Sequence, residues 1–281
     1  MSPRIFDGPE LVKRVDATRF LWGDETSHFV SDLIYGRGTR IAAMIYSLRP
    51  GEHFGASETW KPLYDQHRVY FVARGSLTIQ DPESGEVAVA GVGEAITWRG
   101  AKYHFGYNFG SEETLVLDWY APQERGPDEA ELPLSRKKRD LGNMVDGREH
   151  LLKHWPDALQ KTRGADLESG AIIRVSPADA LHFVHGKHSP MLVSILASSD
   201  DLTAGTLSLR PGLMSEPEEH AGDEVVFSLG GCLHVFLPDT GDWFELDPYD
   251  CVYLPEGVRH QYCSYGEHVS HAAFCVVPHY R

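Results

Sequence analysis

Positive charge is scarce in this chain. Only 26 Lys and Arg face 41 Asp and Glu among 281 residues, a formal net charge of −15. A surface of that sign repels polyphosphates, which excludes a nucleic-acid partner. The one basic run, Arg136-Lys137-Lys138-Arg139, reads as a solvated face in an acidic context. Long apolar runs are also missing. No stretch approaches the roughly eighteen apolar residues a membrane-crossing helix needs, and Met1-Ser2-Pro3-Arg4 lacks the apolar core of a secretory leader. The expectation is a cytoplasmic protein with no membrane partner. Cysteine is sparse: Cys232, Cys251, Cys263 and Cys275 all fall in the second half, with no C-x-x-C pair. Each sits beside strand-like apolar residues and reads as a buried free thiol in a reducing compartment.

What is present is a repeat. Ser47-Leu48-Arg49-Pro50-Gly51 recurs unchanged as Ser208-Leu209-Arg210-Pro211-Gly212, and Gly75 and His104 find counterparts in Gly231 and His260. The first copy carries five extra residues between Gly51 and Gly75, in the loop-like stretch Phe54 to Pro62. A duplication of this length means two copies of one domain, each large enough to bury a core. Short apolar runs separated by Gly, Pro and Asp turns predict strands. They include Arg40–Leu48, Val69–Ala73, Ser76–Gln80, Ala95–Trp98, Thr114–Trp119, Met191–Ala197, Cys232–Leu237 and Ala272–Val277. Residues 1–123 and 166–281 are read as the two β domains. Residues 124–165 form a connector with a short amphipathic helix around Glu149–Trp155. The first twenty residues read as an arm that pairs with the other barrel.

Chemistry concentrates in the second copy. Glu218-x-His220-x3-Glu224-x6-Gly231 is followed by Pro255-x-Gly257-x2-His260. His220 and Glu224 are four apart, as on a helix face. The run Val225-Val226-Phe227-Ser228-Leu229 is instead β-branched and aromatic, and ends at Gly230-Gly231. Period-two alternation then puts His220, Glu224 and Val226 on one face of an extended segment. Two imidazoles and two carboxylates converging inside one barrel suit a divalent cation, which offsets the cost of burying the carboxylates.

These residues resemble the paired motifs of the cupin superfamily, G-x5-H-x-H-x3,4-E-x6-G and G-x5-P-x-G-x2-H-x3-N. The resemblance implies an all-β bicupin: two tandem double-stranded β-helix (jelly-roll) barrels joined by a partly helical connector. It also implies that Glu218, His220, Glu224 and His260 are the metal-ligand positions. Glu218 departs from the motif by standing where its first His is expected, and Ser264 stands at the terminal Asn. Glu218 is therefore open between fourth ligand and general base, and Tyr262, on the His260 face, is the candidate for orienting substrate.

In the first copy Pro62, Tyr64 and Arg68 stand opposite Glu218, His220 and Glu224, and only His104 is retained. An Arg repels a metal. Tyr64, Arg68 and His104 are either a small anion pocket or a set of inward groups that satisfy one another. A displaced triad of His53, His67 and His104 is the alternative metal reading. His182, His185, His188, His268, His271 and His279 fall in turn-like or terminal stretches and read as surface positions, whereas His234 could point into the barrel. Trp60, Trp98, Tyr103, Phe105, Tyr107, Phe227, Tyr253 and Tyr262 are candidates for lining the barrel mouths.

The expected cofactor is one divalent transition metal per chain, Fe(II) first, with Mn, Zn, Ni or Co as alternatives. The expected partners are a small-molecule substrate and a second copy of the chain in a homodimer. The expected activity is that of a non-haem Fe(II) dioxygenase. The alternatives are a redox-neutral metal-dependent isomerase, lyase or amidohydrolase, and a non-catalytic ligand- or sugar-binding protein.

Overall fold

The computed structural model describes residues 4–60, 62–121 and 171–280. The expected connector 124–165, its helix and the basic run lie outside the described residues. The first half holds β1 (Glu10–Val12), β2 (Thr18–Asp24), β3 (His28–Arg37), β4 (Ala42–Leu48), β5 (His53–Phe54), β6 (Leu63–Asp65), β7 (His67–Arg74), β8 (Ser76–Gln80), β9 (Val87–Gly91), β10 (Ala95–Trp98), β11 (Ala101–Tyr103), β12 (Phe105–Tyr107) and β13 (Thr114–Ala121). The second holds β14 (Ile173–Val175), β15 (Leu181–His185), β16 (Met191–Ser198), β17 (Thr203–Leu209), β18 (Gly222–Gly230), β19 (Leu233–Phe236), β20 (Trp243–Leu246), β21 (Cys251–Leu254), β22 (Gln261–Ser264) and β23 (Ser270–Pro278). The described residues contain no α-helix, only two single 3-10 turns, Arg14–Asp16 and Pro177–Asp179.

Two seven-stranded sheets repeat one another strand for strand. Their orders are β14-β10-β7-β13-β4-β3-β2 and β1-β21-β18-β23-β17-β16-β15. The outermost strand of each is exchanged. β1, from the first half, pairs antiparallel with β21, placing Glu10 beside Tyr253; β14, from the second half, pairs with β10, placing Ala95 beside Val175. The N-terminal arm thus reaches the other barrel, and the second half reciprocates. Each large sheet faces a smaller one across its own barrel interior, β5-β12-β8-β9 with the β6–β11 pair in the first half and β20-β19-β22 in the second.

Strand alternation divides the side chains between two kinds of core. On β7, Val69 and Phe71 face the second half, whereas Tyr70 and Val72 face the first barrel's interior. On β18, Val225 and Phe227 join that shared core, and Val226 points into the second barrel. Both faces of these strands are buried, so they read as continuous apolar runs rather than alternating ones. Phe227 and Tyr253, expected at barrel mouths, pack instead between the two large sheets. Each buried apolar side chain contributes about 1.5–3 kcal/mol. The repeat glycines end the inner strands: Gly75 and Gly231 have φ of 73° and 83°. A Cβ at Gly231 would lie 2.6 Å from the Ser270 Cα.

Three of the four free cysteines, Cys251, Cys263 and Cys275, are buried; Cys232 is exposed, because it sits in the turn after Gly231 rather than on a strand. His182 and His185 lie on β15 and His271 on β23, not in turns.

One polar pin crosses the shared core. His67 is 1% exposed, with Nδ1 2.7 Å from the Ser199 hydroxyl and Nε2 2.9 Å from that of Thr97. Burial, reinforced by Arg99, pushes its pKa down to about 4, with Asp201 opposing. An unfolded imidazole takes up its proton near pH 6.5, so the neutral ring's stabilisation is complete above that pH. It is lost as pH falls toward 4, up to on the order of 3 kcal/mol. His67→Gln is expected to shallow the acid-side fall of the urea midpoint between pH 6.5 and 4; an unchanged slope would remove His67 from that role.

Candidate metal centre

The second barrel gathers its donors by two backbone devices. An isolated antiparallel bridge pairs Glu218 with His260, each N–H bonding the other's carbonyl at 2.9 Å. The Pro255-x-Gly257 turn then ties back to the first motif, Gly257 N–H donating to the His220 carbonyl at 3.0 Å. Gly257 adopts φ 75°, a left-handed conformation costly for residues with a Cβ. Glu224 lies on β18, on the same inward face as Val226.

Donor atoms of Glu218, His220 and His260 all lie within 4.8 Å of one another. Glu224 Oε2 sits 3.5 Å from His220 Nε2 and 3.3 Å from His260 Nε2. Glu218 stands on the other side, with Oε1 4.0 Å from His260 Nε2 and Oε2 3.6 Å from His185 Nε2. Both imidazoles are pre-set as ligands. His220 Nδ1 donates to the Tyr280 carbonyl at 2.8 Å and His260 Nδ1 to the Val258 carbonyl at 3.0 Å, so Nε2 is the ring nitrogen that each turns to the cluster.

Two of these buried atoms, Glu224 Oε2 and His260 Nε2, have no hydrogen-bond partner. Such orphans are costly and call for a missing group. Burial pushes Glu224 up to about 8, with nearby Tyr262 opposing, and pushes His260 down to about 3. A neutral imidazole beside a carboxyl that sheds its proton to a cation fits a divalent metal. The Tyr262 hydroxyl is buried beside Glu224, and burial, reinforced by Glu224 and Glu218, lifts its pKa well above the ordinary value. It remains a donor.

No family model matches the chain, and no curated protein matches it in sequence. Solved structures do match in fold. An 11S globulin from Wrightia tinctoria superposes with TM-score 0.63 at 13% identity, covering 97% of this chain and 84% of its own. A cupin 2 conserved barrel domain protein from Leptotrichia buccalis does so at 0.52 and 11%, covering 88% of each chain. A variant of Bacillus subtilis oxalate decarboxylase does so at 0.58 and 13%, covering 96% and 78%. This chain has the bicupin fold. At such identities the likeness shows the fold alone, and the bicupin neighbours include both an enzyme and a storage globulin.

The first barrel of this bicupin retains the imidazole and changes what it meets. His104 Nδ1 contacts the Lys102 carbonyl at 3.4 Å, the same two-residue relation as His260 to Val258. Its Nε2 is satisfied, accepting from the Tyr70 hydroxyl at 2.8 Å, and that hydroxyl accepts from Arg68 at 3.0 Å. Arg68 also lies 3.4 Å from Asp118 and donates to Gln66, with the rings of Tyr64, Tyr70 and Tyr120 against its guanidinium. Tyr64, Arg68 and His104 are thus brought together, in a network whose members engage one another. The displaced triad does not assemble: His53 packs at a tilt against His28 and stacks on Tyr107, His67 faces the shared core, and His104 lies inside the barrel.

Sequence reasoning missed His185, which reaches Glu218 because β15 is a strand rather than a turn. It also missed Tyr280 and Asp118, which carry no motif. His234 does not reach the centre; it accepts from Trp243 Nε1 at 2.8 Å and contacts Cys232. Arg68→Leu, which strands Asp118 in the barrel, is expected to destabilise the protein by about 3–5 kcal/mol, and adding Asp118→Leu to recover most of that. Denaturant unfolding of both variants checks it; additive losses would contradict the coupling.

Proposed function

We propose that the second barrel is the metal-dependent catalytic centre of an enzyme acting on a small organic substrate. The observation that carries this reading is the pair of orphaned, buried, ligand-ready atoms, Glu224 Oε2 and His260 Nε2. Their structural equivalents in the first barrel, Arg68 and His104, are satisfied by the chain itself. His220, Glu224 and His260 would hold the cation, with Glu218 at its edge. When bound, a divalent cation supplies Lewis acidity toward a carboxylate or carbonyl oxygen.

The redox-neutral form of this activity is supported by Glu218. One of its oxygens faces the imidazole pair and the other faces His185, so the two groups together can take a proton from substrate or return it. Tyr262, kept protonated by burial, donates a hydrogen bond to substrate. The small acid in the name of the oxalate decarboxylase neighbour belongs in a first panel with hydroxy acids, ureides, diketones and phenols. The second reading, a non-haem Fe(II) dioxygenase, is supported by the tighter contacts among His220, Glu224 and His260. These make a two-His, one-carboxylate set if Glu218 stays off the metal.

Elemental analysis with turnover under anaerobic and aerobic conditions tests the two. Near one equivalent of Mn or Zn with oxygen-independent turnover is expected. Stoichiometric oxygen consumption with Fe(II) would establish the second reading, and failure to retain any divalent metal would sink both. Glu224→Gln is expected to abolish metal retention. Glu218→Gln is expected to keep the metal and lose at least about 100-fold in turnover. Because the cation must displace the proton from Glu224, affinity should rise with pH up to about 8 and level above it. A flat profile would contradict that exchange.

A further inference from the structure

Resting on that metal reading, we propose that Tyr280 is a positioning residue that fixes the tautomer and the plane of the His220 imidazole. The two imidazoles of the centre are anchored in different ways. His260 Nδ1 is held by the Val258 carbonyl, two residues back in the same turn, so that turn sets it without outside help. His220 draws on a distant acceptor. Its Nδ1 is held by the carbonyl of Tyr280, sixty residues on in sequence, at 2.8 Å. A carbonyl oxygen only accepts, so Nδ1 carries a hydrogen, and in the neutral ring Nε2 then presents its lone pair to the cluster.

The side chain acts on the same ring. The Tyr280 and His220 rings stack with centroids 4.4 Å apart and planes 30° apart. The Tyr280 ring leans in turn on Phe274, centroids 5.5 Å apart, and Phe274 is 1% exposed on β23. A rigid core residue therefore backs the tyrosine, and the tyrosine backs the imidazole. Delivery of this segment depends on Gly222. It pairs with Pro278, and a Cβ there would sit 2.5 Å from the Val277 carbonyl oxygen, so only glycine lets the start of β18 and the end of β23 approach so closely. The chain leaving β23 is thereby placed over His220. In the first half the position of His220 is taken by Tyr64, which has no tautomer to set.

The test reads the imidazole and the metal separately. Long-range nitrogen NMR of the metal-free protein should show His220 as a single Nδ1–H tautomer in the wild type and in Tyr280→Phe. In a chain ended after His279 it should show a tautomer mixture. Mn(II) titration should show the wild-type affinity for Tyr280→Phe and a loss of about 10–100-fold for the shortened chain. Tyr280→Gly keeps the carbonyl and removes the ring; it should hold the tautomer, lose part of the affinity and shift the Co(II) absorption spectrum. A shortened chain with wild-type tautomer and wild-type Mn(II) affinity overturns the proposal. If that chain fails to fold, a Tyr280→Gly variant unchanged in affinity and Co(II) spectrum overturns it instead. A wild type that binds no Mn(II), Co(II) or Fe(II) sinks the metal reading, while the tautomer measurement still decides the positioning role.

Discussion

A carboxylate inside an apolar β barrel has to be neutralised, and each half of this chain meets that constraint differently. In the second barrel Glu224 faces two imidazoles whose Nδ1 atoms are tied to backbone carbonyls and whose Nε2 atoms point inward, an arrangement suited to a cation from outside. In the first barrel two buried carboxylates, Asp32 and Asp118, share one cation, Arg68, which is part of the chain, lies 3.4 Å from Asp118 and is caged by three tyrosine rings. Burial and the neighbouring Asp118 raise Asp32 well above the ordinary carboxylate range. The retained histidines show the contrast most directly. Both are oriented by the carbonyl two residues before them, yet His104 Nε2 accepts from Tyr70 whereas His260 Nε2 accepts from nothing. The substitutions are concerted: Asp118 and Tyr120 stand where the second half has Phe274 and Val276, opposite Tyr70 and Arg68 in the same register. An isolated change of Glu to Arg would have left a buried charge unpaired, at a cost of several kcal/mol.

The first barrel is not dispensable to the second. β1 completes the second sheet and β14 the first, so neither half has its full edge without residues from the other. Between the sheets lies a core drawn from both, in which Phe71 and Trp119 from one half share a cluster with Phe227 and Cys251 from the other. Tyr35 of the first half packs edge-on against Phe227, one residue beyond Val226 and three beyond Glu224 on β18. The backbone that presents Glu224 is therefore clamped from behind by the first barrel. Rigid support of this kind is what a ligand set requires, since small displacements of donors degrade affinity and selectivity.

The sequence pattern showed the duplication, the all-β class and the inward face of Glu224, because those are properties of alternation and spacing. The predicted strands Ser76–Gln80 and Ala95–Trp98 coincide with β8 and β10. What local pattern does not contain is the partner reached through the fold. His185 read as one of several turn-like or terminal histidines, but it ends a strand, and the turn begins only at Gly186. Asp118 lies in an apolar run that carries no motif; its significance depends on facing Arg68 across two strands. Phe227 and Tyr253 were aromatic and strand-borne, and only the packing of one large sheet on the other decides that they face a shared core instead of a mouth. Tyr280 lies sixty residues from the imidazole it contacts, with nothing in its neighbours to mark it.

The two carboxylates of the second barrel differ in a way that assigns them different work. Glu224 is 2% exposed in its side chain and lies 3.5 Å or less from both imidazole nitrogens. Buried at that depth, it can lower its energy only by meeting a cation or keeping a proton, which is the behaviour of a ligand. Glu218 is less enclosed, stands farther from His260, and turns its second oxygen toward His185, which is 20% exposed in its side chain. A carboxylate with one oxygen at the centre and the other on a partly exposed imidazole has a route for protons to solvent. Two carboxyl groups set apart by environment in this manner divide holding from proton transfer. The unusual Glu at position 218 is thus best understood through what it connects: the interior donor set on one side and His185 on the other.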